Sequence, residues 1–334
     1  MYLKELLKSV GIQRVTNDSL GSVSPEKEKL IRVFIDALLD EDNCQAVFRG
    51  EDRVSAYEQS GANTTTSLGR EQLLATHSDI IFYIGTKSRS YLYATDGIDV
   101  PIEIRSLDNS VFKTIFNEIE HSIEDGLYSG ESEFTRYFCR ANRDSFIEKI
   151  SLVDDEEKQQ IKIYYLWLLH VIGETEYKRY SNFLSTTKNH KVANRFGHDQ
   201  IVYCGWIPRP IKKRAAYLGS LIQLEQRLKH LDLPTYNDEP YPDEQEISLL
   251  GGLFPHYTLG IFDPSTRKLI INTHLLDNAI LDLISNGMSE LVINLGIFID
   301  QSEFESSEKL RNSKYRRWVS HSEGESFTDH NVHR

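Results

Sequence analysis

Apolar residues recur at helical spacing from the start of the chain. Leu3, Leu6, Leu7 and Val10 fall on one face, and after a Ser-rich loop Leu30, Ile31, Phe34, Ile35 and Leu38 do so again. Ser24-Pro25-Glu26 opens the second run with an N-cap serine and a first-turn proline. Residues 1–43 therefore read as a helical segment, closed by Asp40 to Asn43. The period then changes. Gln45 to Gly50 is a short strand, residues 60–67 are a polar, Thr-rich loop, and 80–84 and 90–94 read as two strands joined at Gly85 to Arg89. Helical spacing returns over 110–125 with Val111, Ile115, Phe116, Ile119 and Ile123, and it continues through 134–150. It is strongest over 154–172, where Ile161, Tyr165, Leu168, Leu169 and Ile172 form one face. From Asn182 strands dominate, at 182–187, 200–207, 246–250, 257–262 and 268–272, the last two joined by the turn Asp263 to Arg267. Helices are expected at about 213–231 and 278–285, and a strand at 290–299. Helices first and strands second predict an α+β fold rather than alternating α/β.

Composition narrows the class. The chain has 334 residues, 40% hydrophobic and 26% charged, with 9 Pro and 19 Gly, which is ordinary for a globular protein and unlike collagenous or disordered chains. A net charge of -12 opposes non-specific adhesion to nucleic acid or anionic membrane. Two basic clusters, Lys212-Lys213-Arg214 and Lys309 to Arg317, read first as solvated faces. No apolar run approaches the ~18 residues of a membrane span, and Met1 to Lys8 lacks the apolar stretch of a signal peptide. Cys44, Cys139 and Cys204 are scattered, so a disulfide framework is not expected and a reducing cytoplasm is. The 11 His form no HExxH and no ligand spacing, so no metal is expected; His77, His170 and His190 read as surface or core residues. There is no Walker A motif and no GxGxxG after a strand.

Three short segments carry chemistry when taken together. Val47-Phe48-Arg49-Gly50 puts an arginine at the end of an apolar strand, offering a planar fork of donors suited to a pyrophosphate. Phe183-Leu184-Ser185-Thr186-Thr187 places Ser185 and Thr187 on one strand face, ahead of a helical stretch with Val192, Ala193 and Phe196. Asp243-Glu244-Gln245-Glu246 opens an apolar strand, and strand alternation would set Glu244 and Glu246 on one face. A strand-borne hydroxyl can hold a carboxylate in one rotamer. Two such carboxylates can divide labour, one stabilising a cationic sugar and the other accepting a proton. That chemistry suits cleavage of an N-glycosidic bond through an oxocarbenium-like transition state.

At these residues the chain resembles the Arg-Ser-Glu group of ADP-ribosyltransferases, which includes cholera-type and clostridial actin-modifying toxins. Arg49 matches the group's strand arginine, Ser185-Thr186-Thr187 its Ser-Thr-Ser-like triplet, and Glu244-Gln245-Glu246 its Glu-x-Glu motif, in the family's order. Tyr241 stands where an aromatic precedes that motif. The resemblance implies a split antiparallel sheet core with NAD as substrate. Arg49, with Gly50 beside it, would bind a phosphate of NAD, Ser185 would position Glu246, and Thr187 would support the site. Glu246 would stabilise the ribose cation, Glu244 would orient or deprotonate the acceptor, and Tyr241 would face the target. Arg89 and Arg105, each near an expected strand, are alternative positions for the motif arginine. The stretch between Arg49 and Ser185 is longer than in compact members. The expected organisation is thus a helical segment at 1–43, a catalytic domain at 44–300 with a helical insertion at about 106–180, and a flexible polar tail at 301–334.

The expected activity is mono-ADP-ribosyl transfer to a macromolecular acceptor, either protein arginine, as is usual for Glu-x-Glu members, or RNA. The setting implied is a bacterial toxin or anti-phage effector acting in the cytoplasm of the producing cell and held by an antitoxin protein. An NAD glycohydrolase, with water as acceptor, is the alternative. Phe48-Arg49-Gly50 also resembles the Phe-Arg-Gly domain of bacterial proteins, which would imply a non-catalytic binding module. That domain usually continues with an Asp-Trp-Thr-like segment where this chain has Leu184-Ser185-Thr186-Thr187, so the match is poorer.

Overall fold

The computed structural model describes residues 2–16, 19–38, 44–52, 106–128, 132–172, 183–195, 200–208, 215–216, 218–236, 242–250, 258–272 and 276. The strands expected at 80–84, 90–94 and 290–299, the loop at 60–67, the helix at 278–285 and the tail fall outside them.

Within these residues the chain is a mixed α/β structure built on a mostly antiparallel sheet. In chain order the strands are β1 (Gly11–Thr16), β2 (Ser19–Ser22), β3 (Cys44–Asp52), β4 (Phe183–Thr187), β5 (Gln200–Pro208), β6 (Ala215–Ala216), β7 (Glu246–Leu250), β8 (Thr258–Asp263) and β9 (Lys268–Ile271). They lie side by side as β2-β1-β9-β8-β5-β3-β4-β7-β6, and β1 with β9 is the one parallel pair among them. The helices are α1 (Tyr2–Leu7), α2 (Pro25–Leu38), α3 (Asn109–Glu124), α4 (Glu133–Tyr137), α5 (Arg143–Ser151), α6 (Asp155–Val171), α7 (His190–Ala193) and α8 (Leu218–His230).

The first 43 residues are not wholly helical. Between α1 and α2 the chain makes the β1–β2 hairpin, which extends the sheet beyond β9. In β1 Ile12 is buried while Arg14, two residues on, is exposed, so the strand lacks a clean period of two, and the helical spacing just before it obscures it further. Covering β9 in this way removes an open edge. The helical run expected at 134–150 also divides. α4 ends at Tyr137, whose carbonyl accepts from Asn142 Nδ2 at 2.8 Å, and a 3-10 turn over Arg140–Asn142 leads into α5. The helix expected from about 213 starts at Leu218, because Ala215–Ala216 pairs with β7 instead.

α6 organises the helical half. Asp154 caps it by accepting from the Glu157 amide at 2.9 Å, and Asp155, Glu156 and Glu157 complement the dipole of its first turn. Its sequence promises one apolar face, yet from Tyr164 to Val171 every residue is buried, as befits a helix packed on several sides. α3 and α8 pack against it, and its last turn reaches β4. Phe138 and Phe146 stack edge-on or tilted against Tyr165 at ring separations of 5.6 and 5.4 Å, and the Tyr165 hydroxyl donates to the Pro234 carbonyl at 2.9 Å. The helical stretch from 109 onward and the sheet contribute to one continuous hydrophobic core.

Sheet register fixes where an opening can form. β3 pairs with β5 along its whole length but meets β4 at the single position Phe48 opposite Thr187. The ladder is thus parted between β3 and β4, while β4 pairs with β7 from end to end. On the far side of β5 the packing is tighter. A Cβ added at Gly260 in β8 would stand 2.2 Å from the backbone oxygen of Ile270 in β9. Gly260→Ala is therefore expected to cost about 1–3 kcal/mol by forcing the strands apart, read as a lowered urea midpoint; an unchanged midpoint would show that the β8–β9 pair yields freely.

Candidate active site

The parted ladder opens a cleft of about 300 Å³, bordered by β3, β4, α7 and the turn into β7. Three segments far apart in sequence meet there. β3 brings Arg49 and Gly50, β4 brings Ser185 and Thr187, and the β7 turn brings Glu244 and Glu246. Tyr241, Arg89 and Arg105 lie outside the described residues.

Arg49 spans the gap. Its Nη1 donates to the Ser185 carbonyl at 2.7 Å, joining β3 to β4 where backbone pairing has ceased, and its Nε donates to Glu51 Oε1 at 2.6 Å. Glu51 sits two residues along the same strand, so alternation places both side chains on one face. The Arg49–Glu51 pair is mostly buried, with side-chain exposures of 24% and 11%, which makes it more than a screened surface contact.

The β4–β7 pair supplies the opposite wall. Thr187 lies opposite Glu246 and Ser185 opposite Ser248, so these four polar side chains share one face. Leu184, Ile247 and Leu249 are buried on the other. Ser248 Oγ donates to Glu246 Oε1 at 2.6 Å. Ser185 Oγ is instead 2.7 Å from His170 Nε2, and that nitrogen is 3.7 Å from Glu246 Oε1. The expected direct contact between Ser185 and Glu246 is thus replaced by two others. Ser248 holds the carboxylate directly, and Ser185 reaches it through the imidazole.

Glu244 and Glu246 both line the cleft, but not as neighbours on a strand face. Glu244 ends a 3-10 turn (Pro242–Glu244), Gln245 takes a left-handed conformation with φ 49°, and β7 begins at Glu246. A non-glycine residue adopts that conformation at a cost of about 1 kcal/mol or more, and local hydrogen bonds offset it. Thr187 Oγ1 donates to the Glu244 carbonyl at 2.7 Å, and the Lys188 amide donates to the Gln245 carbonyl at 3.3 Å. Thr187 also accepts from the Asn189 amide at 3.0 Å, so one hydroxyl ties the start of α7 to the turn that carries Glu244.

Electrostatically the cleft sets Arg49 among Glu51, Asp52, Glu244 and Glu246. At the start of α7, burial first and the Lys191 charge second hold His190 below the ordinary histidine range, so it is a neutral imidazole at neutral pH. Burial pushes the Cys204 thiol far up, which leaves it inert as a nucleophile, and Cys139 is exposed and away from the cleft. Among the described residues no group of His, Cys, Asp and Glu could hold a metal ion, and no helix is long and apolar enough to cross a membrane.

The residues that sequence reasoning passed over are His170, Ser248 and Glu51. His170 read as a surface or core histidine; it is buried, yet its Nε2 faces the site. The available signal was a lone imidazole inside the apolar run from Leu166 to Val171. Ser248 and Glu51 each stand two residues from a motif residue on the same strand, a spacing that places them beside it. Compared with protein-family models, curated proteins and solved structures, the chain matches none.

Proposed function

We propose that this protein cleaves NAD at the bond between nicotinamide and ribose and transfers ADP-ribose to a macromolecular acceptor. The observation that carries the reading is the meeting of Arg49, Ser185 and Glu246, separated widely in sequence, around one cleft with Glu244 at its edge. The parting of β3 from β4 supports an ADP-ribosyltransferase-like split sheet. In this reading Arg49 holds a pyrophosphate oxygen with a charged, planar donor set. The glycosidic C1′–N bond breaks, and its electron pair leaves with nicotinamide, which departs neutral. Positive charge then develops on the ribose, where the fixed Glu246 carboxylate opposes it. The acceptor's nucleophile attacks C1′ and gives up its proton, for which Glu244 is the nearby base.

Incubation of the protein with NAD labelled in the adenylate moiety, together with cell lysate, tests the reading. Label is expected on macromolecules, and protease or RNase sensitivity assigns it to protein or RNA. Free ADP-ribose as the only product would make the protein an NAD glycohydrolase. No nicotinamide release at all would overturn the proposal and favour a binding module on the same fold.

A further inference from the structure

His170 stands outside the motif set, yet it is the group that connects two members of that set. Its Nε2 lies 2.7 Å from Ser185 Oγ and 3.7 Å from Glu246 Oε1, the same oxygen that accepts from Ser248 Oγ at 2.6 Å. The ring is held by its surroundings rather than by a loop. It occupies the last turn of a long helix whose residues from Tyr164 to Val171 are all buried, and its ring lies 5.8 Å from that of Phe183, centre to centre. A carboxylate on the first residue of a strand, next to a left-handed Gln245, would otherwise have several open rotamers. Two contacts at one oxygen, one from its own strand and one from the helix, reduce them.

We propose that His170 is a positioning residue of this site: its Nε2 ties the Ser185 hydroxyl to the Glu246 carboxylate and keeps Glu246 turned into the cleft. With the proton on Nε2, the ring donates to Ser185 Oγ and presents the same electropositive edge to Glu246 Oε1. The helix end fixes where that edge stands, so the orientation of Glu246 is set by the hydrophobic core and not by the turn alone. This role rests on the NAD-cleaving reading for its kinetic consequence and on geometry alone for its structural one.

Two measurements on the full chain separate these. In the first, His170→Ala is expected to lower kcat for nicotinamide release by about 10–100-fold, since a misplacement of about 1 Å in a site can cost about 100-fold, with KM for NAD nearly unchanged. His170→Gln, which keeps an N–H donor at similar reach, is expected to recover most of the rate, and His170→Asn, which falls short, is not. An unchanged kcat in His170→Ala, or equal rates in the Gln and Asn variants, would overturn the proposal; the Gln–Asn contrast decides it if the alanine variant does not fold. In the second, without NAD, the ring nitrogen resonances of His170 are expected to move in both Ser185→Ala and Glu246→Gln. If the wild-type chain fails to cleave NAD but both shifts occur, the positioning role stands and the NAD reading falls. If neither variant moves the resonances, the positioning role falls whatever the turnover.

Discussion

Glu246→Gln is expected to reduce nicotinamide release from NAD by roughly 10³-fold while the protein stays folded. The substitution keeps the shape of the side chain and an oxygen that can still accept from Ser248 Oγ, now at 2.6 Å from the carboxylate. What it removes is the charge. A unit charge about 4 Å from a developing cation, at an effective dielectric of about 20, is worth about 4 kcal/mol, and about 1.4 kcal/mol is a factor of ten in rate. Glu244→Gln makes the same change two residues away and is expected to behave differently. Glu244 precedes β7 in a turn that Thr187 secures through the backbone, so its carboxylate can be altered without disturbing the Glu246 contacts. Nicotinamide release should survive in that variant while transfer to the macromolecular acceptor falls. Steady-state nicotinamide release and label incorporation, measured side by side with thermal unfolding, check both. Near-wild-type release by a folded Glu246→Gln variant would remove Glu246 from the chemistry.

The difference between those two variants marks where sequence reasoning reached and where it stopped. The apolar spacing of Asp154 to Ile172 and of the strands at 182–187, 200–207 and 268–272 led to the observed elements nearly to the residue, because each pattern is long or sharply bounded. The hairpin at Gly11 to Ser22 did not emerge, since its strands are short and follow closely on a helical pattern. Within the site, the resemblance implies that Arg49, Ser185 and Glu246 stand together, and they line one cleft, but no sequence pattern reports their hydrogen bonds. Pairing of Glu244 with Glu246 assumed one continuous strand, whereas the left-handed Gln245 starts the strand only at Glu246. His170 arrives from a helix some distance away in sequence, and no local period reports which strand a helix end will meet. Contacts made within a strand are written in a period of two. Contacts made by tertiary packing are not.

Arg49→Ala is expected to weaken NAD binding by about 10–100-fold, since a hydrogen bond to a charged group contributes about 1.5–3 kcal/mol. It should also destabilise the fold, because Arg49 is both a ligand group in the proposed site and a bridge. Its Nη1 bond to the Ser185 carbonyl joins strands whose ladder has parted, and its Nε bond neutralises Glu51, whose side chain is 11% exposed. Removing the guanidinium leaves that carboxylate in a poorly solvated place without its cation, a loss of about 1–3 kcal/mol before any ligand is considered. Arg49→Lys separates the two roles. Lysine keeps a positive charge near Glu51 but lacks the planar fork, so stability should largely return while binding of the pyrophosphate stays weak. Calorimetric titration with NAD and urea unfolding of both variants give the comparison. Wild-type NAD affinity in a folded Arg49→Ala protein would transfer the phosphate role to another arginine, with Arg89 and Arg105 the first to replace, and would leave Arg49 as the tie that holds β3 to β4.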